Sequence, residues 1–199
     1  GTTDIDTLAF IPYVSYYRPH GNNAVYADLQ FAYGQNDYDT RRLPGGAVGS
    51  TEGDFYSLEF NTGYNMRADK VVHGPFAQVR WLDGDIDGFT EVGPGGVVVP
   101  DTDYESLATQ LGYQVSMPVS TSSGMVIPYF SAAWEHEFEA DQGNVFGVPT
   151  GEIDEDLAVL GLGVGWYGNS YWNTVLQYEA RLGSDVQGHY VSLKVGKEF

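Results

Sequence analysis

Long segments of apolar–polar alternation run through the whole chain, and this period of two constrains the fold more than any other feature. Nine such segments lie near residues 7–18, 24–40, 53–67, 72–88, 104–117, 124–139, 156–167, 170–183 and 188–199. In the eighth, Trp172, Thr174, Leu176, Tyr178, Ala180 and Leu182 share one face, and Asn173, Gln177, Glu179 and Arg181 share the other. In the seventh, Ala158, Leu160, Leu162, Val164 and Trp166 oppose Gly161, Gly163 and Gly165. Upstream, Val25, Leu29 and Phe31 oppose Tyr26, Asp28 and Gln30, and Leu58 and Phe60 oppose Ser57, Glu59 and Asn61. Helical spacing is scarce. Gly, Asn, Asp and β-branched or aromatic residues, which are poor in helix interiors, are spread throughout.

Such alternation admits two burial schemes. In a soluble sandwich the apolar faces meet each other and the polar faces meet water. In an outer-membrane barrel the apolar face meets lipid and the polar face lines an interior. Three features favour lipid. The segments run about 10–14 residues, where strands average about 5–6 and a tilted membrane crossing needs about 9–11. Tyr64, Trp134, Phe138, Trp166, Trp172 and Phe199 sit at the ends of apolar faces, where headgroup-level girdles lie. The connections alternate in length. Short ones fall at Pro19–Asn23, Ala68–Val71, Val119–Ser123 and Gly168–Asn169; longer ones fall at Arg41–Glu52, Phe89–Asp103 and Ala140–Glu155, with a modest Ser184–Gln187. Short periplasmic turns and longer outside loops produce that pattern. The expected fold is an all-β, antiparallel transmembrane β-barrel of outer-membrane type.

The 199 residues carry 27 Asp+Glu against 9 Lys+Arg, a net charge of −18. That sign argues against a nucleic-acid partner, whose phosphates dominate binding, and against docking on anionic lipid through basic patches. The absence of cysteine rules out disulfide scaffolds, Cys-based zinc sites and thiol nucleophiles. Aromatics at 15% with charges at only 18% argue against disorder. No apolar run is long enough for a membrane helix, which leaves crossing by strands open. The polar faces carry Asp28, Glu59, Arg80, Glu135, Glu137, Glu179, Arg181 and Lys194. Charges are costly in hydrocarbon and tolerable in a wet interior, so these residues are expected to face a lumen. There they form either a paired network joining neighbouring strands or the lining of a hydrophilic conduit.

The chain ends in Phe199, preceded at alternate positions by Val191, Leu193 and Val195. This looks like the terminal strand by which outer-membrane proteins address their insertion machinery, although Lys197 stands where an apolar or aromatic residue is common. The segment His73–Gly93 resembles a strand of autotransporter β-domains that opens with Pro and an aromatic and ends in a G-[FY]-x-E-x-G pattern. Leu107–Asp141 resembles their following hairpin, with a Leu-Gly strand and then a Pro-containing strand ending in His-Glu-Phe. Asp154–Trp166 and Val175–Phe199 resemble their last three strands. The chain therefore resembles the C-terminal translocator domain of autotransporters, in a layout nearest to barrels that carry esterase passengers.

The resemblance implies type V secretion through a barrel of about twelve strands. That barrel would sit in the outer membrane of a Gram-negative bacterium, with a linker through its lumen to an N-terminal passenger. Implied partners are outer-membrane lipid and lipopolysaccharide, the barrel-insertion machinery and the passenger; no cofactor is implied. Nine segments is an odd number where single-chain bacterial barrels are even, and Gly1–Asp6 falls in an outside loop. Residues 1–199 are thus expected to form a single β-barrel domain that lacks N-terminal strands, linker and passenger; closure by eight or ten strands is the alternative.

Little in the chain speaks for other chemistry. Asp83, Asp85, Asp87 and Gly88 form D-x-D-x-D-G, the opening of a calcium loop, but Pro94 holds the twelfth position in place of Glu. Calcium is therefore a weak candidate beside a plain acidic strand end. His136 lacks the second His, four residues on, of a zinc-protease helix. With His189 and Asp185 it could form an acid–base pair of the surface-protease kind. No G-x-S-x-G elbow occurs. Anchoring and passage, not catalysis, is the expected role. The alternatives are a small outer-membrane barrel enzyme of protease or lipase type, a stand-alone porin-like or adhesion barrel, and a soluble sandwich or lectin-like binder.

Overall fold

The computed structural model describes residues 1–43, 45–142, 154–169, 171–184 and 187–197. Among the described residues every regular element is a strand. In chain order these are β1 (Thr2–Phe10), β2 (Tyr13–His20), β3 (Asn23–Arg41), β4 (Val48–Ala68), β5 (Val71–Ile86), β6 (Phe89–Thr90), β7 (Val98–Val99), β8 (Thr102–Ser116), β9 (Val119–Thr121), β10 (Gly124–Gln142), β11 (Asp156–Gly168), β12 (Trp172–Leu182) and β13 (Gln187–Lys197). All but β6 and β7 join one antiparallel sheet in the order β1-β3-β4-β5-β8-β10-β11-β12-β13. β1 and β2 are one ribbon: Phe10 faces Tyr33 and Tyr13 faces Gln30 in unbroken register. Pro12, which has no N–H to give the ladder, separates them. Pro118 separates β8 from β9 in the same way.

Nine ribbons agree with the nine alternating segments, but several bounds differ. Gly1–Asp6 is not a loop beyond its first residue, since Thr2–Asp6 pair with Arg41–Asp37. The Arg41–Glu52 connection shrinks to residues 42–47, because β3 and β4 stay paired up to Arg41 opposite Val48. In both places backbone pairing with a neighbour outweighs a polar, Asp- and Gly-rich composition. The Phe89–Asp103 connection contains the β6–β7 hairpin. Turns at one end are tight: Gly21 (φ +62°) and Asp69 (φ +54°) take left-handed conformations there.

The sheet is curled into a half-barrel. Gln114 Nε2 on β8 donates to Tyr26 Oη on β3 at 3.0 Å, with β4 and β5 lying between those strands. Three strand steps span about 14 Å in a flat sheet. The two side chains meet because the sheet is concave on their side. Polar residues therefore occupy the inner face and the apolar set occupies the outer one.

On the outer face the apolar band has sharp limits. It runs over positions 25–33 of β3, 56–66 of β4, 71–81 of β5 and 107–115 of β8. These are lengths of nine to eleven residues, the span of a tilted membrane crossing. Acids follow immediately on the long-loop side: Asp37, Asp54, Asp83 and Glu105. All four tryptophans point outward at the band's borders, Trp81 and Trp134 toward the long loops, Trp166 and Trp172 toward the tight turns. Indole N–H groups of Trp81 and Trp134 donate to Glu105 and Asp156 carboxylates. Among the described residues no second layer covers this face. Leu111 is 55% exposed, Leu162 51% and Val191 73%, and among the described residues no large side chain is fully buried. A soluble sandwich, in which these stripes would pack together, is not what the chain forms.

The inner face is tightened by glycines set directly opposite aromatic rings. The register pairs are Gly34 with Phe55, Gly63 with Tyr26, Gly84 with Tyr104, Gly112 with Phe76 and Gly163 with Tyr129. A Cβ at any of these glycines would lie 2.3–2.6 Å from the facing ring. The ring lies over the bare glycine and covers its backbone. Gly63→Ala is therefore expected to destabilise by about 1–3 kcal/mol in urea unfolding from detergent. The same substitution should cost almost nothing once Tyr26→Ser has removed the ring.

Candidate functional site

Strand registers place every lumen candidate on the inner face. Asp28 stands opposite Asn61, Glu59 opposite Arg80, Glu135 opposite Gln110, Glu137 opposite Ala108, Glu179 opposite Gly161, Arg181 opposite Val159 and Lys194 opposite Val175. Four of them, Glu135, Arg80, Arg181 and Glu179, join one network centred on Glu135, whose side chain is only 3% exposed. Its Oε2 accepts from Arg80 at 2.5 Å and from Gln110 Nε2 at 2.5 Å, while its Oε1 accepts from Arg181 at 3.0 Å. Arg181 Nε donates to Glu179 at 2.8 Å, and its guanidinium also lies over the Tyr190 ring. Glu59 accepts from Gln78 at 2.6 Å and Glu137 from Ser106 at 2.9 Å. Asp28, Glu59, Glu137 and Lys194 share the face but stand outside this cluster.

A carboxylate this buried is tolerable because two cations and an amide meet it. The arrangement also crosses strands: Arg80 on β5 reaches Glu135 on β10 over β8, and Arg181 on β12 reaches it over β11. The sequence placed these charges on one face. Gln110, which completes the network, and Gln78, which binds Glu59, were legible only as polar positions, because pairing across intervening strands depends on curvature. The interior glycines Gly161, Gly163 and Gly165 also fall on this face, as their alternation with Leu160, Leu162 and Val164 predicts.

Other candidates are not brought together. Asp83 and Asp85 lie on the extended strand β5 and Asp87 beyond its end, so the D-x-D-x-D-G stretch does not wrap as a calcium loop. Among the described residues no group of three or more His, Asp or Glu is placed to hold a metal. Asp85 faces Asp54 and Asp103 across the ladder, beyond the apolar band. Partial desolvation, with Asp54, Asp87, Asp103 and Asp83 nearby, raises its pKa. His136 and His189 are both on the outer face, on separate strands. His136 Nδ1 lies 2.9 Å from Asp156, and His189 Nδ1 2.8 Å from Tyr178 Oη. Asp185 and Phe199 lie outside the described residues. Val191, Leu193 and Val195 line the outer face of the edge strand β13, and Lys197 sets its ammonium 5.5 Å from the Trp172 ring.

The autotransporter beta-domain family model matches residues 1–179. The chain belongs to this family. Among solved structures, the translocator domain of autotransporter NalP from Neisseria meningitidis superposes with a TM-score of 0.71 at 18% identity. That match covers 100% of this chain and 70% of that one, and it shows a shared fold. The beta domain of the Bordetella autotransporter BrkA matches at a TM-score of 0.39 and 14% identity, over 97% of this chain and 90% of that one. No curated protein matches the chain. The fold expected of an autotransporter β-domain, an antiparallel outer-membrane-type sheet, is thus the fold observed.

Two outcomes follow for the charges of this β-domain. Glu135→Ala, which leaves two arginines facing each other, should lower stability by about 3 kcal/mol in detergent unfolding. Glu135→Gln, which keeps one accepting oxygen for Arg181 and fills the same volume, should lose less. For Asp85 the folded pKa is raised, so its ionised form opposes folding above that pKa. Asp85→Asn should raise the melting temperature at neutral pH and make no difference once the pH is low enough to protonate both states.

Proposed function

We propose that the protein is the translocator and anchor of an autotransporter in the outer membrane of a Gram-negative bacterium, carrying an N-terminal passenger to the cell surface. The observation that carries this reading is the outer apolar band, nine to eleven residues deep on β3, β4, β5 and β8, bounded by aromatics and acids and wrapped around a hydrophilic concave face. Family membership supports it. The reading assigns outer-membrane lipid to the band and lipopolysaccharide to the acidic border beyond it. It assigns a passenger linker to the concave face, and no catalytic step to any residue.

Closure completes the reading. Among the described residues β13 pairs with neither β1 nor β2, so the sheet has two free edges. Unpaired edge groups are expensive in hydrocarbon. Further strands of the same polypeptide would join those edges and close the barrel. The part of the NalP domain with no counterpart here is consistent with such strands. On β13 the outward stripe Val191, Leu193 and Val195 is suited to recognition by the insertion machinery through added-strand pairing.

Variants retaining one tryptophan each, in vesicles with lipids brominated at defined depths, test the membrane placement. Quenching at all four positions should be strongest near the headgroups, and absence of quenching would remove the bilayer from the account. The inner charges are tested in planar bilayers. Five acids against four bases on that face should make the closed pore cation-selective, and Glu59→Lys should move the reversal potential toward anions. An unmoved reversal potential would mean that this face lines no water path.

A further inference from the structure

The net charge of −18 is an average over two unlike ends. At and beyond the turn-side border of the apolar band, the charged groups among the described residues are Arg18, Arg67, Lys70 and Lys197, with Asp69 as the one acid. At the long-loop end the Lys and Arg residues are Arg41 and Arg42 alone, set among many acids that include Asp37, Asp54, Asp83 and Glu105. Arg42 is already paired with Glu91 at 3.1 Å. No ion pair among the described residues involves Arg18, Arg67 or Lys70, and all three are exposed.

The two aromatic borders differ in the same sense. On the loop side the indole N–H groups of Trp81 and Trp134 donate to Glu105 at 3.3 Å and to Asp156 at 2.9 Å, so carboxylates crown that border. On the turn side the outward aromatics lie against nitrogen bases. The Lys197 ammonium sits 5.5 Å from the Trp172 ring centroid, and His73 Nδ1 lies 2.5 Å from Tyr113 Oη. On β2, Arg18 takes the outward position next after Tyr16. Strand registers set Arg18 opposite Val25 and Lys197 opposite Trp172, both on the outer face, whereas Arg67 falls on the inward row. Asn23 Oδ1 accepts the Arg67 backbone N–H at 3.3 Å and Asn23 Nδ2 donates to Tyr64 Oη at 2.9 Å. These bonds tie the β2–β3 and β4–β5 turns together, which brings Arg18 and Lys70 to adjoining turns of the rim.

We propose that Arg18, Lys70 and Lys197 form a docking belt for anionic phospholipid headgroups, of the phosphatidylglycerol class, in the leaflet at the tight-turn end. This rests on the membrane placement proposed above and adds which lipid that border selects. A cationic side chain whose stem lies along the apolar band carries its charge to the depth of the lipid phosphates. Each such cation enriches anionic lipid beside it by about fivefold. The acids of the other end stand across a hydrocarbon layer of about 30 Å, more than about three Debye lengths at physiological salt. The charge balance of the whole chain, which argues against docking on anionic lipid, therefore does not decide the behaviour of this border.

Lipid selectivity at the protein surface tests the belt. Trace spin-labelled phosphatidylglycerol or phosphatidylcholine is placed in phosphatidylcholine bilayers holding the full chain, and electron spin resonance reads the motionally restricted fraction of each label. That fraction should favour phosphatidylglycerol about two- to fivefold at low salt, and the preference should vanish near about 1 M salt. The triple variant R18Q/K70Q/K197Q should abolish it, and Arg41→Gln, at the other end, should leave it unchanged. Because Lys197 also covers Trp172, Lys70→Glu at an exposed turn supplies a second reading and should lower the preference on its own. Equal restriction of both labels, exclusion of phosphatidylglycerol, or a preference that the variants do not move overturns the belt and leaves the membrane placement standing. No restricted signal from either label would remove the bilayer from the account, and the belt with it. Displacement of the phosphatidylglycerol label by lipopolysaccharide but not by unlabelled phosphatidylglycerol would give this border a different occupant and overturn the proposal.

Discussion

Parity of register is the constraint on which the rest of this sheet depends. Side chains alternate at every residue, so a one-residue slip of β8 would turn Leu111 inward and Gln110 outward. Every strand must therefore keep the same parity as its neighbour, and the registers from β1 to β13 do so apart from a shift between Glu137 and Glu139. The outer band, the inner charges and the glycine–aromatic pairs follow from that single rule.

The inner network gives the rule a side-chain lock. Glu135 draws partners from β5, β8 and β12 to its own strand β10, so one carboxylate fixes the relative position of four strands. Slippage of any of them would leave an arginine or a glutamate desolvated without its partner, which is far costlier than loss of an exposed pair. A structural network and a hydrophilic lining are not competing descriptions here. The arginines remain partly exposed on the concave side while their partner is buried.

Much of this was legible in the sequence because a period of two needs no tertiary information. Trp172 and Leu176 against Glu179 and Arg181 declare two faces, and the eight charged positions all fell on the polar one. Element ends were less legible. Thr2–Asp6 and Val48–Glu52 read as loop by composition, yet their backbones pair with β3 and with β4's neighbours. The D-x-D-x-D-G match, a weak calcium candidate beside a plain acidic strand end, is ambiguous for the same reason: local spacing does not say whether Asp83 and Asp85 lie on a turn or on an extended strand. The Arg42–Glu91 pair spans 49 positions and depends on the β5–β8 connection running beside β4, which local spacing does not encode.

The rings of Tyr26, Phe55, Phe76, Tyr104 and Tyr129 carry a consequence for how folding can be watched. Each is pressed against a bare stretch of backbone on a neighbouring strand. Rings held in such one-sided surroundings lose their rotational averaging and absorb circularly polarised light asymmetrically. The near-ultraviolet dichroism of this protein should therefore chart the locking of its interior, separately from the far-ultraviolet bands that chart strand formation.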